Sequence, residues 1–511
     1  MNEKNDASIL NPLPALGILA IIAAITYMVI RGILLSRADY AAMDGILAVL
    51  LLVAECFIMI HSIGYTINIL RVHGKRISER SDFRALDPYQ LPSVAILVAA
   101  RHEPSEVLQR TFLTIQNIDY GNKKVYFLDD SLDLQYKKEA EKIARDHDLV
   151  LFQRTRPWHG AKAGIVNDCL ETLSEKYIVI FDADQNPMPD FLKVIVPLME
   201  ADEKRAFIQT PQFYTNIDEN RIARAAVLQQ AVFYEYICEG KGVSDAMFCC
   251  GTNVIFRTSS LRDVGGMDES TVTEDFATSL KFHSKGYRSL YYSHVCAFGM
   301  GPEDLTGYFK QQFRWAAGTI NVFKKLLRQL FRNPFSLSPG QWFEYFLSST
   351  YYFVGCAFSV LMVCPVIFIF WKIPSFFANP EVYLLAFLPY MSLTMSIFYF
   401  ALKRRHYSPR DLVLGQLLGA ITFFVYTKAA LAALLGIKIP FGVTPKSRGG
   451  VVPYRMLWPQ MIVLMVNFVA VIWALNRFVY EHDGALPVNA FWAFYHFLVF
   501  SSIFYFNRGN K

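Results

Sequence analysis

The chain has 511 residues, of which 53% are hydrophobic and 15% aromatic against only 18% charged, and its net charge is +6. So much apolar surface has to face lipid somewhere, which excludes a purely soluble or a disordered chain. The positive charge is not gathered into a nucleic-acid-binding patch. Lys75, Arg76, Arg80, Lys403, Arg404, Arg405, Lys446 and Arg448 sit instead near the ends of apolar runs, the positive-inside pattern of a membrane protein.

The first apolar run covers 12–35, with Arg31 near its end, placed to snorkel toward the interface. At over 20 residues it is too long for a signal-peptide core. A second run, 46–70, is stopped by Arg71, Lys75 and Arg76, and the two predict a hairpin with both ends in the cytosol. From 78 to 334 short apolar runs alternate with amphipathic segments. Strands are expected at 93–99, 124–128, 149–152 and 177–181. Helices are expected from Ser105, which would cap the first, and around 135–146 and 160–174. That alternation predicts a mostly parallel α/β sheet, whose ligands gather at the carboxyl ends of the strands.

Beyond 334 the apolar runs 342–371, 382–402, 455–478 and 490–506 read as spans. The run 412–439 carries Gln416, Thr422, Thr427 and Lys428. A lysine mid-span is costly, so this run is expected flat at the cytosolic interface. The result is six spans with both termini inside, divided as 1–76, a cytosolic domain at 77–334, and 335–511. Glu55 is the one acidic residue deep in a run and is expected to face the bundle interior. The eight cysteines have no zinc spacing and are expected reduced.

Four motifs follow one another on the soluble stretch and its end: Asp129-Asp130, Asp182-Ala183-Asp184, Thr273-Glu274-Asp275 and Gln311-Gln312-Phe313-Arg314-Trp315. Each has a plainer reading when taken alone: a turn, a helix cap, or a membrane-interface belt. In this order the chemistry is more specific. Alternate carboxylates after a strand hold a hard divalent cation, Mg2+ or Mn2+, that neutralises a diphosphate. Asp129 and Asp130 accept hydrogen bonds from a base or ribose. Asp275 is placed to act as general base, with Glu274 beside it. Arg314 can fork onto phosphate oxygens, and Trp315 offers a flat face for a sugar ring.

This motif set, inside a helical membrane frame, resembles the processive family 2 glycosyltransferases, and cellulose synthases above all, over roughly residues 90–450. Phe441-Gly442-Val443-Thr444-Pro445-Lys446 resembles the F-x-V-T-x-K gating loop of that family. Phe248-Cys249-Cys250-Gly251-Thr252 resembles its F-C-G-S/T loop, and Ala161-Lys162-Ala163-Gly164 its K-A-G stretch. The resemblance implies a GT-A-like (Rossmann-like) cytosolic domain inserted in a bundle of about six spans with interfacial helices. It implies that Glu103 and Asp130 hold uridine, with Asp129 alongside, that Lys162 meets the donor, and that Gln311 and Arg314 hold its pyrophosphate. Asp182 and Asp184 would hold the metal, and Asp275 would be the base. Cys250, Gly251 and Trp315 would meet the acceptor, and Phe441, Thr444 and Lys446 would close over the donor.

The sequence departs from the family at several points. Ala100-Arg101-His102-Glu103-Pro104 stands where the family has T-Y-N-E-P. Gln185 replaces a His after Asp184, Ile165 an Asn, and Gln312 an Arg. Direct control through a C-terminal cyclic-di-GMP-binding domain is not expected.

The function expected is an inverting synthase that polymerises a UDP-sugar, glucose by resemblance, and passes the polymer across the cell membrane. Trp342, Tyr345, Tyr351 and Tyr352 are candidates to stack on the polymer. The expected partners are the UDP-sugar, the growing polysaccharide, membrane lipids and an accessory export subunit, with no nucleic acid. A transferase that glycosylates a membrane lipid would share the acidic motifs and is the alternative. A transporter would need paired charges in broken spans. A hydrolase would leave the metal motif and Arg314 without a task.

Overall fold

The computed structural model describes residues 12–39, 41–74, 86–87, 89–154, 157–376, 379–437 and 450–508, with the side chains of 73 and 74 excepted. Among these residues ten strands are formed: β1 Val94–Ala100, β2 Lys123–Asp129, β3 Val150–Gln153, β4 Tyr177–Asp182, β5 Asn186–Pro187, β6 Arg205–Gln209, β7 Phe213–Tyr214, β8 Val254–Arg257, β9 Arg288–Tyr291 and β10 Ala297–Gly299.

Seven of them make one sheet in the order β3-β2-β1-β4-β8-β6-β9. The first four are mutually parallel, as the sequence predicts. β1 throughout, and β4 up to its closing Asp182, are apolar because both faces of the sheet are covered. Val94, Ile96, Val98, Tyr177, Val179 and Phe181 enter the core that includes the helices Ser105–Gln116 and Phe191–Glu200. Ala95, Leu97, Ile178 and Ile180 enter the opposite core, with Ala161–Leu170. The far half differs from expectation, because β8 runs antiparallel between β4 and β6. β5, β10 and β7 form a small second sheet beside the end of β4. Ser105 does not cap its helix. Pro104 holds the cap position, and the Ser105 hydroxyl accepts from Gln109 instead.

Among the described residues six helical segments are long and apolar enough to cross a membrane: Leu13–Arg37, Ala42–Val72, Pro339–Trp371, Pro380–Arg404, Tyr454–Glu481 and Ala485–Phe506. They match the six expected runs, so the protein is multi-pass. Arg31 does not snorkel. It is buried and pairs with Glu55 at 2.7 Å, while the Tyr27 hydroxyl donates to the same carboxylate at 2.8 Å. Glu55 therefore faces the bundle interior, as a lone acid in a span must. The ambiguous run forms two helices, Pro409–Ile421 and Phe423–Leu434, bent by 44°. The first packs on Arg221–Val232 of the soluble domain, where Arg224 pairs with Asp411 at 2.9 Å. The second packs on the long helix Leu305–Arg332. Lys428 is exposed, with its ammonium 5.8 Å from the Phe313 ring centroid.

Candidate active site

The acidic motifs converge where the parallel strands end. Asp129 closes β2 and Asp182 closes β4, and the two strands flank β1. Asp182 is fixed from both sides. Its backbone N–H donates to the Thr252 hydroxyl at 2.9 Å, and its carboxylate accepts from the Lys162 ammonium. Lys162 also donates to the carbonyl of Gly251 at 2.7 Å. The K-A-G stretch, the D-x-D motif and the F-C-C-G-T loop are thus tied together at one lysine.

Gly251 has φ +85° and faces Asp275 directly. A Cβ there would lie 3.0 Å from Asp275 Oδ2, so this position requires glycine on two counts. Cys250 N–H donates to Gln209 Oε1 at 2.7 Å, and the amide of Gln209 donates to the Thr252 carbonyl at 2.8 Å. Gln185, the residue in place of the family's His, is buried and accepts from Asn253 at 3.0 Å.

Glu274 and Asp275 open the helix Glu274–Ser284, with no side-chain cap from Thr273. The Asp275 carboxylate accepts from the N–H of Phe276 at 2.7 Å. Burial, with the Glu274 charge adding to it, pushes the Asp275 carboxyl up to about 7, against the pull of that N–H, Lys162 and Arg314. Burial also raises Glu274, opposed by Lys162 and Arg314. Lys162 is raised despite its burial, because the charge of Asp182 outweighs the loss of water. A carboxyl poised near neutrality beside these charges suits proton transfer.

The Q-x-x-R-W motif lies on Leu305–Arg332. Arg314 acts electrostatically on both Glu274 and Asp275. Gln311 bonds the Tyr214 hydroxyl, which also senses Asp182 and Asp184. Gln312 is buried and accepts from Tyr426 at 2.9 Å, a structural part. Trp315 is half-buried on the same helix. Beyond it, Tyr65, Tyr351, Tyr352 and Tyr426 meet ring to ring at 5.2–6.4 Å. Tyr345 and Trp342 do not join them. Tyr345 is buried, stacked on Phe276 at 5.5 Å and bonded to His283 at 2.6 Å, and the Trp342 indole donates to the Pro334 carbonyl at 2.8 Å. Both are packing residues.

Where uridine is expected, both carboxylates of Asp129-Asp130 are engaged with protein. Asp129 accepts from Gln153 at 2.8 Å and from Ser131 N–H at 3.0 Å. Asp130 pairs with Arg154 at 2.8 Å and accepts from the Trp158 indole at 3.0 Å. Burial raises its carboxyl against the pull of Arg154. Glu103 folds back on its own loop and accepts from the N–H of Arg101. Arg154, Trp158, Gln209 and Tyr214 are absent from any motif and were not legible in sequence. Trp158, four residues before Lys162, carried the only local hint.

Asp182 and Asp184 are the two hard-oxygen ligands expected of a metal. Among the described residues no group of three His, Cys, Asp or Glu side chains could hold an ion by protein alone. The loop 441–446, with Phe441, Thr444 and Lys446, lies outside the described residues.

Residues 177–402 match the sequence model of the family described as Glycosyl transferase family group 2. The cellulose synthase catalytic subunit [UDP-forming] of Pseudomonas fluorescens (strain SBW25) is 26% identical over 81% of this chain and 56% of its own length. A cellulose synthase catalytic subunit of Dictyostelium discoideum is 33% identical over 50% of this chain and 24% of its own. The chain thus spans about half or less of the length of these relatives. A solved mannosyltransferase from Pyrobaculum calidifontis, in complex with GDP-Man and Mn2+, superposes with a TM-score of 0.52. It is 18% identical, and the alignment covers 76% of this chain and all of that one. That likeness bears out the GT-A-like fold. Residues 177–402 thus match a family 2 glycosyltransferase model within a multi-pass membrane frame, and the chain resembles cellulose synthase catalytic subunits as its motifs imply.

Proposed function

We propose that the chain is a processive inverting β-glycosyltransferase of the cell membrane. It would polymerise a sugar from a UDP-sugar, UDP-glucose by resemblance, on a cytosolic catalytic domain and pass the polymer out between its spans. The observation that carries the reading is the Asp275 carboxyl, raised to about 7 and facing Gly251 beside the Lys162–Asp182 pair.

In the proposed step the acceptor hydroxyl oxygen bonds to C1 of the donor sugar and gives its proton to the Asp275 carboxylate. The bond from C1 to the diphosphate oxygen breaks, and its electron pair leaves with UDP. Attack opposite the leaving group converts an α-linked donor into a β-linked product. Lys162 and Arg314 supply positive charge where the diphosphate departs, and Gln311 orients it. Glu103, Asp129 and Asp130 shape the nucleotide end. Cys250, Gly251 and Trp315 border the acceptor sugar, and Phe441, Thr444 and Lys446 close over the donor.

Asp182 and Asp184 fit a divalent cation of the Mg2+ or Mn2+ kind, since such ions are bound by one or two carboxylates with phosphate oxygens and water completing the shell. When bound, it would stabilise the departing diphosphate. An accessory subunit for export belongs to the same reading.

A lipid acceptor is the second reading. It is favoured by a mostly apolar groove lined by Phe57, Ile60, Phe343, Phe346 and Phe353 of two candidate spans and by Phe323 of Leu305–Arg332. Purified enzyme given Mg2+ and a panel of radiolabelled UDP-sugars decides between the two. Label from one donor in high-molecular-weight polymer, lost in Asp275→Asn, is the expected result. Label confined to the lipid extract would overturn the polymerase.

A further inference from the structure

Trp158 is 43% exposed, yet it is held on two sides. Its indole N–H donates to Asp130 at 3.0 Å, and the Arg101 guanidinium lies over its ring, 4.8 Å from the centroid. Asp130 is buried, and its second oxygen pairs with Arg154 at 2.8 Å. Arg154 in turn donates to the carbonyls of His159 at 2.7 Å and Ala161 at 3.0 Å. A buried carboxylate is thus spent on fixing an exposed indole, and the same network grips the start of the helix that carries Lys162. The assembly sits at the carboxyl ends of β1, β2 and β3, where a parallel sheet presents its ligand.

We propose that Trp158 and Arg101 form the platform on which the donor's nucleobase stacks, and that Asp130 is a positioning residue that holds the platform rather than a contact to the base. The inference rests on reading the chain as a nucleoside-diphosphate-sugar transferase. A nucleobase is a flat π-system, and an indole with a guanidinium on its face is a planar surface that binds such rings without strong demand on their edges. Arg101 adds donors that match a ring carbonyl, which uracil presents. Asp130 has both oxygens engaged, so it contributes by fixing Trp158 and Arg154. Arg101 is one of the departures from the family's T-Y-N-E-P. Where that pattern has an aromatic residue after its first position, this chain has a guanidinium, and Trp158 brings an aromatic ring to it from the next loop but one.

The test is calorimetric titration of the full-length protein in detergent with Mg2+, using UDP and inorganic pyrophosphate as separate probes. Trp158→Ala and Arg101→Ala are each expected to weaken UDP about tenfold or more, the scale of base stacking, and to leave pyrophosphate within about twofold. Trp158→Phe keeps a ring and is expected to retain most of the affinity. Unchanged UDP binding in both alanine variants would overturn the platform and leave the transferase reading standing. So would an equal loss for UDP and pyrophosphate, which marks a collapsed loop. A wild-type protein that binds pyrophosphate but gains nothing from the base of UDP, GDP or ADP would overturn both.

Discussion

Asp275 sits among charged neighbours that pull in opposite directions. Burial and Glu274 hold its proton on, while Lys162 and Arg314 draw it off, and the balance lies at about 7. A general base works only when deprotonated, and kcat/KM reports the free enzyme. Activity should therefore rise about tenfold per pH unit below 7 and level off above it. Glu274→Gln removes the like charge and should move that limb to lower pH; a limb that stays in place would show that another group governs it. The same shift has a cost in stability. An unfolded aspartate titrates near ~3.9. Between that value and about 7 the native protein holds a proton that the unfolded chain has released. Stability attributable to this group is thus fully present below the lower value and lost as pH rises through the window. Asp275→Asn keeps an oxygen for the Phe276 N–H and cannot ionise. Relative to wild type, its apparent melting temperature should climb steadily between about pH 4 and pH 8, by several °C in all, the scale of a few kcal/mol. A variant less stable at pH 8 would mean that the charge is structural rather than held for catalysis.

The base is aimed by packed helices, and Gly318 sets one of the contacts. Added to Gly318, a Cβ would lie 2.4 Å from Thr273 Cγ2, so Leu305–Arg332 presses directly on the residue before Glu274. The other end of the base helix is clamped by His283, bonded to Tyr345 at 2.6 Å and to Ser289 at 2.9 Å. Burial pushes His283 down to about 3, which keeps it neutral through the working range. Gly318→Val should push Thr273 and Asp275 out of line and lower kcat tenfold or more, while UDP binding holds, because displacements of an ångström at a reacting group cost about that much. Equal losses in kcat and UDP affinity would instead mean a general collapse. These contacts also show what was legible in the chain. β2 and β4 carry apolar runs that end on their own acidic motifs, so strand and chemistry are read together. β8 is four residues long, too short for periodicity, and its antiparallel place between β4 and β6 follows from long-range pairing. Arg31 was misplaced for a related reason: its partner Glu55 is 24 residues away on the next helix, and no local pattern joins them. The Trp158–Asp130–Arg154 cluster is likewise assembled from two loops.

At the scale of the whole molecule, the turn regions between spans divide into two sets. The soluble domain is inserted between Ala42–Val72 and Pro339–Trp371, so it shares an end with the connection after Arg404 and the bent pair packed on it. Three turns share the other end: the ones after Arg37, after Trp371 and after Glu481. Side chains tie them together, since Lys372 pairs with Glu481 at 3.0 Å and the Arg31 guanidinium lies 4.2 Å from the Phe376 ring centroid. Glu481 is also held by Arg477 at 2.7 Å. Lys403, Arg404 and Arg405 gather on the soluble-domain end, where Arg405 pairs with Glu239 at 2.9 Å. Basic residues flanking spans favour the cytosolic side, which supports the orientation proposed above: donor consumed inside, polymer released outside. All eight native cysteines are free and lie in the spans or in the soluble domain. A cysteine introduced at Asp483 should therefore react with a membrane-impermeant maleimide on intact cells, and one at Glu141, exposed on Leu134–Asp146, only after permeabilisation. The reverse pattern would put the catalytic domain outside, where cytosolic UDP-sugar does not reach it, and would remove the physical basis for export through the spans.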